Sequence, residues 1–279
     1  MTIFAITLTY NGRQYLDNLY NSLKKAANQL NEKLYWFIRD NNSVDNTELL
    51  VNSWSNNDFV KYFKIDHNRD NFSKCNNFLI DKIKEVFEIK DTDYLLFLNN
   101  DITIIDPKSI KYMVDIIKND PDVGIVGAKL YYPGGKLIQH FGVAISARHG
   151  NNPWHIYNKE KDSIATKTDK QFQAVTAAFM LIRYSCFVNL DGGKLNEKYF
   201  WCFEDTDVAL QVNINQKKKV ICCAKTNIIH HESATLQKNP VNKMFMNDNV
   251  RLFKQNWEGK CEIDYDKYIN NPNYNIYRK

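Results

Sequence analysis

A repeated change of hydrophobic period across the first 130 residues constrains this chain more than any other feature. An apolar run at Phe4 to Thr9 gives way to helical spacing from Gln14 to Asn28, with Leu16, Leu19, Leu23, Ala26 and Ala27 on one face. A second run, Leu34 to Arg39, leads through a polar turn into a helix over Asp45 to Ser53. Val60 to Ile65 precedes a helix over Phe72 to Phe87. Tyr94 to Leu98 precedes one over Pro107 to Lys118, with proline in its first turn. Such alternation predicts an α/β fold whose mostly parallel sheet carries helices on both faces. In sheets of this kind, ligands bind beyond the carboxyl ends of the strands.

Those ends are polar in every case: Thr9-Tyr10-Asn11-Gly12, Asp40-Asn41-Asn42-Ser43, Asp66-His67-Asn68 and Asn99-Asn100-Asp101. Any one of them would serve as a helix cap or turn. Together on one edge they outline a ligand crevice.

After Gly124 the pattern changes. GIVGAKLYY and LIQHFGVAI read as two strands joined through Pro133-Gly134-Gly135, a hairpin that predicts a smaller antiparallel part. Residues 147–170 are polar and read as a long mobile loop. Ala174 to Arg183 reads as a strand and Asp205 to Asn215 as a helix. Val220 to Ala224 and Thr226 to His230 read as two short strands, and Asn242 to Trp257 as a helix. The last twenty residues carry no periodicity. The division expected is one domain over 1–235, with halves 1–130 and 131–235, and a C-terminal helical extension over 236–279.

Hydrophobic residues at 44% and charged residues at 25% exclude a disordered chain. No apolar run approaches the roughly 20 residues of a membrane helix. The run MTIFAITLTYNG has neither a basic leader nor a cleavage site, so no signal peptide is expected. The six cysteines show no CxxC and no zinc spacing, which suits reduced thiols in a cytoplasmic protein. In VICCA the adjacent thiols should point to opposite faces of a strand. A net charge of +5 without an arginine-rich block argues against nucleic acid, and leaves nucleotides or a phospholipid surface as anionic partners. The Lys217-Lys218-Lys219 run reads as a solvated helix end.

Several segments occur in a telling order: AITLTYNG, FIRDNNSVDNT, NFSKCNN, YLLFLNNDI, VGAKLYYPGGKLIQHFGV, AVTAAFMLIR, LDGGKLNEKYFWCFEDTD and IIHHES. With them, residues 2 to 235 resemble the inverting glycosyltransferases of family 2, and the later segments are most similar to bacterial rhamnosyltransferases and O-antigen or capsule transferases. The resemblance implies the GT-A fold, a Rossmann-like sheet flanked by helices with an antiparallel acceptor side. It further implies transfer of a sugar, with inversion, from a UDP-, dTDP- or GDP-linked donor to a hydroxyl of a glycan or glycoconjugate. It leaves room for a homodimer and for peripheral association with a membrane surface.

A nucleotide sugar presents a base, a ribose and a diphosphate. Asp40 is placed to accept from a base N–H, and the resemblance assigns it there; Asn41, Asn42 and Ser43 can bond ribose or cap the next helix. The donor side would also include Thr9, Tyr10, Asn11, Asn68, Asn76 and Asn100. Near Asn71, where the family has glycine, asparagine tolerates a left-handed backbone. A carboxylate combined with phosphate oxygens and water suits Mn²⁺ or Mg²⁺. The DxD-like motif of the family is Asn99-Asn100-Asp101 here, so Asp101 is its only carboxylate and the expected metal ligand, joined by His230.

Inversion requires a base opposite the leaving group. Glu204 and Asp205 match the family's ED pair, which makes Asp205 the base and Glu204 a group that orients the acceptor. Carboxylates at a helix start should be ionised, and Asp207 reads as a helix cap. Thr176-Ala177-Ala178 stands at the family's sugar-pocket turn, and Gly192-Gly193 precedes the catalytic segment. Tyr199, Phe200 and Trp201 either stack on an acceptor ring or fill the core, while His140 and His155 read as structural. Two alternatives stand beside the transferase. A nucleotidyltransferase of related architecture would carry a Gly-rich basic loop that TYNGRQY lacks. A non-catalytic nucleotide- or carbohydrate-binding protein is favoured by Asn99 and opposed by EDTD.

Overall fold

A computed structural model describes residues 1–54, 58–200, 202–231 and 241–278. The first half alternates as its periodicity predicts: β1 (Thr2–Thr9), α1 (Arg13–Ala27), β2 (Lys33–Asp40), α2 (Thr47–Ser53), β3 (Val60–Lys64), α3 (Phe72–Val86), β4 (Tyr94–Leu98), β5 (Ile102–Ile104) and α4 (Ser109–Asn119). The second half adds β6 (Val123–Tyr131), β7 (Ile138–His140), β8 (Val143–Ser146), β9 (Asn152–His155), β10 (Lys170–Phe172), β11 (Phe179–Arg183), α5 (Tyr184–Val188), α6 (Glu204–Leu210), β12 (Lys219–His230), α7 (Val241–Trp257) and α8 (Tyr265–Asn270).

The main sheet runs β3-β2-β1-β4-β11-β6-β12-β10. β1 pairs in parallel with both β2 and β4, so the strand order reverses between β1 and β4, where a crevice opens at their carboxyl ends. β11 runs antiparallel between β4 and β6, and β12 runs parallel to β6. The start of β11 and the end of β12 therefore reach the same edge as the end of β4. Period-two alternation fills both faces. Phe4, Ile6, Phe37, Leu95 and Phe97 pack with Leu79 and Ile83 of α3. Ile3, Ala5, Trp36, Ile38 and Leu96 pack with Leu16 and Leu19 of α1 and with Met113 of α4. Cys222 and Cys223 fall on opposite faces, and all six cysteines are unpaired.

The second half departs from its sequence reading in four places. The run Leu137 to Ile145 breaks at Gly142 (φ +89), because Phe172 packs so closely that a Cβ there would lie 2.4 Å from its ring. β7 therefore stays with β6, while β8 pairs with β9 in a separate two-stranded sheet. Residues 147–170 are not a free loop. Asp162 is bound by Lys129 at 2.9 Å, by the hydroxyl of Thr166 at 2.9 Å and by that of Tyr131, so much of the polarity is spent on internal partners. Only Phe179–Arg183 of the run from Ala174 is strand, and the two short strands expected after Lys219 are one, irregular between Cys223 and Ile228.

The last residues complete the same core. Tyr268 is fully buried and stacked on Phe172 at 4.5 Å, and buried Lys170 donates to the carbonyls of Pro272 and Tyr274 at 2.6 and 3.2 Å. Among the described residues, no helix is long and apolar enough to cross a membrane.

Candidate active site

The end of β1 meets the end of β4 directly. Thr9 is buried, and its hydroxyl accepts from the amide of Asn100 at 3.1 Å. Gly12 closes this corner: a Cβ on it would lie 2.3 Å from Thr9 Oγ1 and 2.4 Å from Asn100 Nδ2. Asn11, at φ +50, ties β1 to the end of β2. Its backbone N–H donates to Ser43 Oγ at 2.8 Å, and its side-chain oxygen accepts from the Val44 N–H at 2.9 Å. Tyr10 is exposed at the rim.

Asp40 is fully buried. Its carboxylate accepts from the Ser43 N–H at 2.8 Å and from the hydroxyl of Tyr62. Burial and this bond to Asp40 both push the Tyr62 phenol well above its ordinary pKa, so it stays a donor. These contacts occupy part of a carboxylate's roughly four lone-pair sites. Asn42 is exposed at φ +69, and Asn68 is exposed as well. Asn76 is buried in α3 with its amide donated to the Phe72 carbonyl at 2.8 Å. Asn71 caps α3 through the Lys74 N–H at 2.9 Å with φ −76, so the glycine-like conformation is not needed there.

Asp101 and His230 meet across β5 and β12. Asp101 is 4% exposed, and its Oδ1 lies 3.1 Å from His230 Nε2. His230 Nδ1 lies 2.7 Å from Gln139 Oε1, so a proton on Nδ1 donated to that oxygen leaves the Nε2 lone pair facing the carboxylate and the Asn99 amide at 3.2 Å. A carboxylate oxygen and an imidazole nitrogen this close together form a donor set that suits a borderline divalent cation. Among the described residues, no third His, Cys, Asp or Glu completes a cluster with them.

Asp205 is brought to the same edge by the start of α6. Its Oδ2 accepts from the Ala177 N–H at 3.1 Å and its Oδ1 from the Thr206 N–H at 2.7 Å, which fixes the carboxylate plane. The Ala178 carbonyl accepts from the Asn99 N–H at 3.0 Å, so the turn before β11 links the base candidate to the end of β4. Glu204 opens in part on the cavity, yet its Oε2 is enclosed without a hydrogen-bond partner. Burial, reinforced by the Asp205 charge, raises its pKa from 4.5 to about 8. The expectation that this carboxylate is ionised is therefore overturned, since desolvation outweighs the dipole of a seven-residue helix.

Asp207 is no cap. It is buried and accepts from Trp257 Nε1 at 2.7 Å, Gln211 Nε2 at 2.8 Å and the Tyr199 hydroxyl at 3.2 Å, anchoring α7. Burial pushes its pKa up despite those donors. Tyr199 is fully buried and belongs to the core, Phe200 is 42% exposed, and Trp201 lies outside the described residues.

A cavity of about 430 Å³ is lined by Asn99, Gln139, His140, His155, Thr176, Glu204, Asp205 and His230, among others. It joins His230, the neighbour of Asp101, to the carboxylate pair. Gln139 was not singled out in the sequence, although it lies within LIQHFGV; its role is visible only through its contact with His230, 91 positions away.

Residues 4–187 match the family described as Glycosyl transferase family 2. The chain belongs to that family, and its fold is the GT-A fold. It is 33% identical over 147 residues to the O-antigen biosynthesis protein RfbC of Myxococcus xanthus, a match covering 51% of this chain and only 11% of that protein. It is 23% identical over 223 residues to the rhamnosyltransferase WbbL of Escherichia coli K12, covering 76% of this chain and 77% of WbbL. The crystal structure of GalNAc-T7 with UDP, GalNAc and Mn²⁺ superposes with a TM-score of 0.63 at 12% identity, over 91% of this chain and 48% of that one.

Proposed function

We propose that this protein transfers a sugar, with inversion, from a nucleotide-linked donor to a hydroxyl of a glycan or glycoconjugate. The observation that carries this reading is the single cavity that unites His230 and Asn99 with Glu204 and Asp205. Kinship to a rhamnosyltransferase and an O-antigen biosynthesis protein agrees with a polysaccharide product.

Asp40 receives the base, with Thr9, Tyr10, Asn11, Asn42 and Asn100 along the rest of the nucleotide. Asp101 and His230 hold a divalent cation, Mn²⁺ or Mg²⁺. When bound, that ion supplies positive charge against the diphosphate leaving group. Asp205 takes the proton of the acceptor hydroxyl, whose oxygen bonds to the anomeric carbon as the bond to the diphosphate breaks on the opposite face. The Ala177 and Thr206 amides keep both Asp205 oxygens in place during this step. Glu204, which lines the cavity and is held neutral near pH 7, orients the acceptor.

The test is incubation with Mn²⁺ and a panel of UDP-, dTDP- and GDP-sugars, reading release of nucleoside diphosphate. Pyrophosphate release would instead indicate a nucleotidyltransferase. Binding of a donor with no turnover on any acceptor would indicate a binding protein.

A further inference from the structure

Gln139 lines the same cavity without belonging to the metal-ligand candidates or the carboxylate pair, and the backbone is shaped to aim it. In the pairing of β7 with β6, Ile138 lies opposite Tyr131 and His140 opposite Leu130, so the register skips Gln139 and leaves it as the extra residue of a bulge. Bulges beside active sites re-aim a side chain. On the other side of β6, Leu130 and Tyr131 pair with Ile228 and Ile229 of β12, which brings His230, the last residue of that strand, to the level of the bulge. The Asn158 amide donates to the Gln139 backbone carbonyl at 2.7 Å and pins the irregular stretch.

Both ends of the Gln139 amide turn to His230. The residue is 6% exposed, its Oε1 lies 2.7 Å from the ring Nδ1, and its Nε2 lies 3.5 Å from the backbone carbonyl of His230. Only this orientation of the amide satisfies both contacts, because exchanging its ends would set an oxygen against that carbonyl. Oε1 therefore accepts the proton of Nδ1, and the lone pair of Nε2 is left beside Asp101 Oδ1 at 3.1 Å. We propose that Gln139 is the positioning residue for His230, fixing its tautomer and ring plane so that Nε2 is presented to the divalent cation. The inference rests on the metal assignment proposed above and adds the residue that sets the strength of that site. A group behind a metal-binding imidazole orients the ring and makes it a better donor, and its loss weakens metal binding roughly 10- to 100-fold.

The test titrates Mn²⁺ into the full chain, alone and with UDP, dTDP or GDP, reading free Mn²⁺ by electron paramagnetic resonance. Gln139→Met, which fills the same space without the amide, is expected to weaken Mn²⁺ binding roughly 10- to 100-fold, while nucleotide binding in EDTA stays within about twofold. Gln139→Glu keeps an acceptor oxygen at the same reach and should recover most of the loss. In a His230→Ala background, Gln139→Met should change Mn²⁺ affinity by less than about twofold, since the glutamine acts only through the ring. Imidazole ¹⁵N spectra of the wild type with Mg²⁺ need no variant and should place the His230 proton on Nδ1. A proton on Nε2 overturns the inference, as does Mn²⁺ affinity unchanged in Gln139→Met or an equal loss in the His230→Ala background. If the wild type binds no Mn²⁺ under any of these conditions, or His230→Ala binds it as tightly, the metal assignment itself has failed and this inference falls with it.

Discussion

Two carboxylates sit at helix starts on the ligand edge of this protein, Asp70 just before α3 and Glu204 at the first residue of α6. In sequence they are equivalent acidic residues near a helix dipole. Burial pushes Asp70 upward, but hydrogen bonds from Lys74, Arg39 and His67 outweigh it and hold the carboxyl well below the usual range. The Arg39 contact is 2.6 Å, within a pair that is nearly buried. Among the described residues no cation pairs with Glu204; enclosure and then the Asp205 charge outweigh a backbone hydrogen bond and raise it to about 8. The first half uses charge to pin its loop, whereas the second half uses desolvation to keep a proton. A helix start is thus a place for a carboxylate, and the packing around it decides what that carboxylate does.

The sharpest break between the two halves should come from the chemistry itself. Asp205→Asn is expected to lower transfer by roughly 10² to 10⁴ while leaving nucleoside-diphosphate binding intact by calorimetry. If transfer survives, the base lies elsewhere. Asp101→Ala should abolish the Mn²⁺ dependence of nucleoside-diphosphate binding and remove several kcal/mol of transition-state stabilisation. Persisting Mn²⁺ stimulation would move the metal site off this strand end.

Arg39→Ala probes the first half, with an expected destabilisation of about 1 to 3 kcal/mol in urea, because it removes a buried charged partner of Asp70 while Lys74 and His67 remain. A loss below about 1 kcal/mol would class the pair with surface ion pairs. Asp70 is depressed in the folded state, so its contribution is complete above its ordinary pKa of 3.8 and fades as pH falls below it. Glu204 is raised, so the folded protein keeps a proton that the unfolded chain has lost. Stability should decline as pH rises from 4.5 to about 8, and Glu204→Gln should flatten that decline in thermal melts. An identical slope in the variant would show that Glu204 ionises normally. This is the smallest of the four effects.

The first half was legible because its signals are local. Apolar runs ending in Thr9, Asp40 and Asn99 pointed to parallel strands and a polar edge, and the contacts of Thr9 with Asn100 and of Asn11 with Ser43 join ends that the sequence had already aligned. The second half hid its logic in long-range pairs. Asp207 read as a cap yet holds Trp257, 50 positions on. His140 and His155 read as structural, yet they share a nitrogen contact and a cavity with Asp205. Polarity over 147–170 suggested mobility because the buried partner Lys129 lies in β6, beyond any local window.

The sequence by itself determined the parallel sheet, the edge on which its polar ends gather, and the order of motifs that places the chain in its family. Period and turn chemistry act over a few residues, and a linear reading contains them. Only the tertiary structure decided which carboxylate is held neutral, which merely anchors a helix, and which partners each ring nitrogen of His230 faces. Those properties depend on desolvation and on partners that arrive from distant segments, and neither is written in the spacing of residues along the chain.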